Sequence, residues 1–388
     1  MVFAHPKKPV EDLSIECISK FEDFVSLEND WNSVLNDSEI DSVFLSHGWF
    51  KCFWDAWGKG KCLRVLVARA GNRLFGLAPL MLYTGRHLRL PVKILSFIEN
   101  DESPHCGFII YKDAVHYVIP AFLNYIYARQ NGWDILILRK MPLETSQIDP
   151  IKTYCDQNRH RWLDKPSLNS PFLKTDADWE SFYSDKSQRF KKRIRYIHNK
   201  LSKQGDLLIG ESHAPAEIKE LMGQIYDVGA RSWKATLGKA IGSSEQNRMF
   251  FLQLPYALPP LGVVYLWLLR LNHRLIAFEY HIRQNNIVYA LRSSFDEAYR
   301  AYGPGSVLDF EVVRSLFKSD VQLYDMCGGP YAHKLRWTSE IKAHTDIMVF
   351  NRGSIARVLY FLEKCIKPKF KRIFGFINHR ALLKKGIL

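Results

Sequence analysis

The sequence predicts a mixed α/β (α+β) fold: two tandem domains, each a mostly antiparallel sheet flanked by helices, and then a basic helical tail. Three observations carry this. Helix-like and strand-like periodicities alternate along the whole chain. One hairpin segment in each half resembles the other. A glycine-bearing turn stands between a strand and a helix in the second half alone.

The elements follow in order. Phe21, Phe24, Leu27, Trp31, Val34 and Leu35 recur at helical spacing. A short helix fits 46–57, with Ser46 as its cap. A hairpin fits 63–70 and 74–83 about Gly71-Asn72. A strand at 93–98, a helix at 115–129, a buried strand at 133–138 and a helix at 152–161 complete the first half. The stretch 166–171 reads as a linker. The second half opens with a long helix, 178–203, stopped by Gly205. A strand (207–211) and a helix (215–231) follow, then a polar loop and a helix ending near 254. A second hairpin, 263–271 and 275–283, turns at Asn272-His273. A strand at 287–293 leads to the glycine turn and a helix at 306–318. A last buried strand, 321–327, ends at Gly328-Gly329-Pro330.

Set side by side, Arg69-Ala70-Gly71-Asn72-Arg73-Leu74 and Arg270-Leu271-Asn272-His273-Arg274-Leu275 keep both arginines and the leucine in place. We read this as an internal duplication. The expected units are 1–165, without a phosphate loop, 166–350, which carries it, and the tail 351–388.

With 388 residues and 13% aromatics, the chain can bury two cores. The first fourteen residues are too charged for a signal peptide. The apolar run 254–269 is broken by Pro255, Pro259, Pro260 and Gly262, so it does not read as a membrane span. Seven scattered cysteines with no C-x-x-C argue against a disulfide framework or a zinc site. No metal is expected, and a cytoplasmic location is.

The net charge of +14 is concentrated. One cluster runs from Lys186 through Arg189, Arg193 and Arg195 to Lys203. The other lies in the tail. The first is either a solvated face or a groove for an anionic substrate or phosphate. The tail interleaves Phe370, Ile373, Phe374 and Ile377 with its cations. That pattern suits a peripheral contact with an anionic inner-membrane surface, or a helix docked on the body. Nucleic acid is the less expected partner.

The turn Arg300-Ala301-Tyr302-Gly303-Pro304-Gly305-Ser306 is the strongest functional feature. Glycines let backbone N–H groups approach an anion, and the following helix adds free donors and a positive dipole end. Such a turn seats a pyrophosphate.

Arginine-x-x-glycine-x-glycine between strand and helix resembles the acyl-CoA loop of the GNAT acyltransferases. Phe44 to Trp57, Ser187 to Gly205, and Tyr324-Asp325…Lys334-Leu335-Arg336-Trp337 are similar to the CelD/BcsL-type acetyltransferases, associated with cellulose and exopolysaccharide biosynthesis. The Fem-type aminoacyl transferases share a doubled GNAT architecture, but here His333 replaces the aromatic before Lys334. The resemblance implies an N-acyltransferase. It would move an acyl group from acetyl-CoA to the amine of a sugar, polysaccharide precursor or small molecule. An aminoacyl-tRNA-dependent transferase and a non-catalytic synthase component are the alternatives.

In that reading Arg300, Gly303, Gly305 and Ser306 hold the pyrophosphate. A backbone N–H near Ala290 or Leu291 faces the thioester oxygen. Tyr331 protonates the leaving thiolate. Glu279 is the candidate base, or else faces water. Asp325 is a further catalytic candidate, or else a structural ion pair with Lys334 or Arg336. Arg193, Lys334, Arg336 and Trp337 are expected at the substrate.

Overall fold

A computed structural model describes residues 12–128, 132–258 and 262–366. The expected tail beyond residue 366 lies outside the described residues. The first half contains β1 (Ser14–Ile18), α1 (Phe21–Val25), α2 (Glu28–Asn36), α3 (His47–Trp57), β2 (Cys62–Leu63), β3 (Val65–Ala70), β4 (Arg73–Ala78), β5 (Leu80–His87), β6 (Leu90–Phe97), β7 (Ile109–Ile110), α4 (Val115–Ala128), β8 (Ile135–Pro142), α5 (Ile148–Gln157) and β9 (Arg161–Pro166). The chain continues with β10 (Ser170–Lys174), α6 (Trp179–Ser184), α7 (Gln188–Ser202), β11 (Leu207–Ser212), α8 (Pro215–Ala230), α9 (Glu245–Ala257), β12 (Val263–Leu271), β13 (Arg274–Gln284), β14 (Ile287–Phe295), α10 (Pro304–Leu316), β15 (Leu323–Asp325), α11 (Ala332–Leu335), β16 (Ile341–Lys342), β17 (His344–Phe350) and α12 (Ser354–Phe361).

Several elements differ from expectation for local reasons. The long basic helix is two. Ser187 is extended and its Oγ accepts from Phe190 N, so α7 starts afresh after α6. The hairpin strand expected at 74–83 splits at Pro79, which has no N–H to keep pairing. β4 stays with β3, and β5 joins a different sheet. The helix expected at 152–161 ends sooner, because 161–166 is strand β9. β15 stops at Asp325, whose Oδ1 takes the Cys327 N–H at 2.8 Å while Cys327 turns to φ 49°.

Three sheets form. They run β1-β3-β4-β7, β2-β5-β6-β8-β17-β9, and β11-β12-β13-β14-β15-β10-β16. Each half has a hairpin carrying a bulge at one site, between Ala68 and Arg69 and between Leu269 and Arg270. In each, a later strand reaches its parallel neighbour through a crossover helix. β6 pairs β8 around α4, and β14 pairs β15 around α10. One closing strand crosses between the halves. β10, the first strand of the second half, pairs antiparallel with β15. β17, from the end of the second half, pairs antiparallel with β8 and β9 of the first.

The cores are shared as well. Trp31, Phe44 and Trp49 of the first half pack in one cluster with Ile225, Phe250 and Tyr280 of the second. Trp49 meets Phe250 edge to face at 5.0 Å. Gly48 allows this approach. A Cβ there would sit 2.0 Å from the Ala257 carbonyl oxygen of α9. A second cluster holds α4 on the first half's strands, and a third holds α10 on β12–β15.

Candidate functional site

β14 and β15 pair only from Ile287/Leu323 to Tyr289/Asp325. Past that point β14 runs on to Phe295 along β13, while the other chain turns away through Cys327 and Gly328, both at positive φ. A gap opens between the two strands. At its start the β13–β14 register slips: Ala290 lies opposite His281 and Arg292 opposite Tyr280, leaving Leu291 as the extra residue. Ala290 and Leu291 therefore sit where the strands part. A bulge here frees β14 from a regular ladder.

The turn at 300–306 lies at the far end of β14. Glu297–Tyr302 is a 3-10 turn, Gly303 adopts φ 62°, and Pro304 begins α10. No side chain caps this helix. Pro304 lacks an N–H, and the Gly303 carbonyl accepts from Ser306 and Val307. Gly305 lets the turn close on β14: a Cβ there would stand 3.0 Å from the Phe295 ring. Arg300 is mostly exposed and pairs with Glu297 at 3.2 Å. Ser306 Oγ accepts from Arg336, which also pairs with Asp309 at 2.6 Å. Asp309 Oδ2 accepts from Trp337 Nε1 at 2.7 Å. Trp337 is buried in the third core, so it fixes the first turn of α10 rather than offering a free face.

Glu279 is 5% exposed on β13. Burial pushes its carboxyl upward, against the opposing pull of His281, which lies at 2.8 Å. Asp325 is 2% exposed. Its expected ion pair with Lys334 or Arg336 is replaced. Ser170 Oγ donates to Oδ1 at 2.5 Å, Cys327 N donates at 2.8 Å, and Lys342 stands 3.7 Å from Oδ2. The reason is the strand order, which sets β10 beside β15 and β16 beside β10. Tyr331 is 57% exposed at the start of α11, with Lys334 Nζ 5.3 Å from its ring centre. Arg193 is exposed on α7, whose apolar side packs on α10's core through Phe190 and Ile197.

Sequence reasoning missed three groups at the gap. Arg292 on β14 is held by both carboxylate oxygens of Glu102, from a first-half loop. Lys234 donates to the Ser293 carbonyl at 2.5 Å. Burial, then Arg292, then Lys334 push its ammonium down to about 8. Asp309 stands one helical turn after Ser306, and that spacing was the one available signal. Among the described residues, no group of three His, Cys, Asp or Glu side chains could hold a metal.

Residues 174–335 match the family described as acetyltransferase (GNAT) domain. A search of curated proteins finds no match. The crystal structure of FemX is similar at a TM-score of 0.56 and 9% identity, over 86% of this chain and 98% of that one. The structure of L-PGS from Bacillus licheniformis is similar at 0.51 and 9%, over 87% and 96%. The C-terminal domain of a putative lysylphosphatidylglycerol synthetase from Agrobacterium fabrum is similar at 0.51 and 10%, over 88% and 96%. At these identities the likeness concerns the fold, and it spans both halves. Residues 174–335 thus carry a GNAT acetyltransferase domain, with a strand gap beside an uncapped helix start, and this supports an acyltransferase.

Proposed function

We propose that the second half binds acyl-CoA and transfers its acyl group, most simply acetyl, to an amine. The acceptor would belong to a sugar, polysaccharide precursor or related small molecule, as in the CelD/BcsL-type proteins the sequence resembles. One observation carries this reading: the β14–β15 gap leads to a helix whose first turn has no side-chain cap. Of the first amides after Gly303, Pro304 has no N–H and those of Ser306 and Val307 bond the Gly303 carbonyl, so the Gly305 N–H and the positive end of the helix would meet a pyrophosphate, with Arg300 at the rim. The pantetheine arm would lie in the gap, with a backbone N–H near Leu291 turned to the thioester oxygen.

The amine must attack neutral. In this reading its proton passes to Glu279, whose carboxyl burial pushes upward and which His281 Nε2 meets at 2.8 Å. The tetrahedral intermediate then collapses, the C–S bond breaks, and Tyr331 delivers a proton to the leaving sulfur. Arg336 keeps the first turn of α10 in place through Ser306 and Asp309.

Calorimetry with acetyl-CoA tests the reading. Wild-type protein should release heat and, with an amine acceptor, free thiol. Gly303→Glu should lose the binding. No heat with acetyl-CoA would refute it. A second reading, transfer from aminoacyl-tRNA, draws on the exposed Arg189, Lys192, Arg193 and Arg195 of α7 around an exposed Tyr196. Heat with deacylated tRNA and none with acetyl-CoA would favour it.

A peripheral membrane contact is part of the proposal. Ala356 and Leu359 of α12 dock on the first half's sheet, while Ile355, Val358 and Phe361 stay exposed on its outer side. No helix among the described residues is long and apolar enough to cross a membrane. Failure to pellet with anionic vesicles at low salt would remove this element.

A further inference from the structure

We propose that Lys234 and Lys334 form an oxyanion site at the mouth of the β14–β15 gap, suited to a carboxylate or phosphate group on the acceptor amine. The substrate class is then an acid-bearing amine, such as an amino acid or a phosphorylated amino sugar. This rests on the acyl-transfer reading above for its biological meaning, but not for its geometry.

The two lysines mark the two lips of the gap. Lys234 Nζ donates to the carbonyl of Ser293, on β14 beyond its last pairing with β15. Lys334 Nζ donates to the carbonyl of Cys327 at 2.6 Å, two residues beyond the end of β15. Each ammonium has three donors, and these bonds use one apiece. Among the described residues neither ammonium has a carboxylate partner. The nearby carboxylates are engaged elsewhere: Glu102 on Arg292, Asp309 on Arg336 and Trp337, Glu279 on His281, and Asp325, which also acts on Lys334, on Ser170, Cys327 N and Lys342.

The charge balance agrees. Arg292 and Lys334 lower the Lys234 ammonium more than Glu279 and Glu102 raise it, and burial adds to the lowering. Lys334 is lowered by burial too. Two part-buried cations that repel each other are stabilised by an anion placed between them. Neither lysine belongs to α10, whose first turn is the proposed pyrophosphate seat. An acceptor anchored here by its acid group would approach the gap from the side where β14 and β15 diverge.

The test uses the whole protein without CoA. Lysines are labelled with an amine-selective acetylating reagent, and labelling rates are read by peptide mass mapping at constant ionic strength. Inorganic phosphate and acetate are the two added anions. The expected result is saturable slowing at Lys234 and Lys334, several-fold or more, with no change at the exposed Lys203. Slowing by phosphate alone assigns a phosphate group, and slowing by acetate alone assigns a carboxylate. In Lys234→Met the slowing at Lys334 should vanish, while Lys234→Arg should keep it. Unchanged rates at both lysines with both anions would overturn the proposal. Acetyl-CoA calorimetry on the same sample separates the two ideas. Heat with acetyl-CoA but no protection removes the oxyanion site alone. Protection without acetyl-CoA heat removes the acyl-transfer reading and leaves the site.

Discussion

The first half and the second run through the same succession of bulged hairpin, strand, crossover helix and parallel strand, yet they differ at the approach to that helix. In the second half β14 continues along β13 to Phe295, and Gly303-Pro304-Gly305 then opens α10. In the first half β6 ends at Phe97. A loop follows, and β7 takes up the pairing with β4. The approach to α4 is Lys112-Asp113-Ala114, with no glycine and with an acid at its start. That loop of the first half crosses to the other site, where Glu102 grips Arg292. One half thus keeps the uncapped glycine turn. The other supplies part of the wall.

If this division of labour holds, Gly303→Glu should weaken acetyl-CoA binding about 100-fold, roughly 3 kcal/mol, by putting a charge on the turn. Asp113→Gly, before α4, should leave that affinity unchanged. Equal effects in calorimetry would break the comparison. Next in size, Glu102→Gln leaves Arg292 part-buried without its ionised partner and should lower unfolding stability in urea by about 3 kcal/mol. The double variant with Arg292→Met should recover part of the loss. If the single variant is as stable as wild type, the wall is not built across the halves.

The pH dependence of stability isolates Lys234. Its ammonium has an ordinary value of 10.5 and is held down to about 8 when folded, facing Arg292 and Lys334 against Glu279 and Glu102. Between these values the unfolded chain binds more protons, so stability should rise with pH by up to about 1.4 kcal/mol per unit. Lys234→Met should flatten that rise. An identical slope in the variant would remove the strained cation from the comparison. The smallest effect concerns the hairpins. Gly71 sits at φ 56° with open space around it. Asn272 and His273 hold φ 49° and 66°. Gly71→Ala should cost about 1 kcal/mol from backbone strain alone, read as a lowered melting temperature.

Much of the fold was legible. Ser46 is a cap as expected, because a hydroxyl beside a helix start satisfies a free N–H whatever surrounds it, whereas the cap at Ser187 was hidden inside an expected single helix. The paired arginines of the two hairpins marked the shared bulge, since turn and register are set within a few residues. Ala290 and Leu291 were singled out by the resemblance to GNAT acyltransferases, and they lie where β14 and β15 part. Asp325 was assigned the wrong partners. Lys334 and Arg336 were near in sequence, but Ser170 and Lys342 arrive on strands that the sequence does not align with β15.

What the chain determined by itself was local: periodicity, caps, turns, and a glycine step before one helix. These depend on neighbours within a turn or a hairpin, where backbone geometry limits the outcomes. The placement of β10 beside β15, the crossing of β17, the Glu102–Arg292 clamp and the repulsion between Lys234 and Lys334 were decided only by the tertiary structure. Their energies come from burial and from charges brought together out of water. No spacing along a chain records which distant surfaces will share that environment.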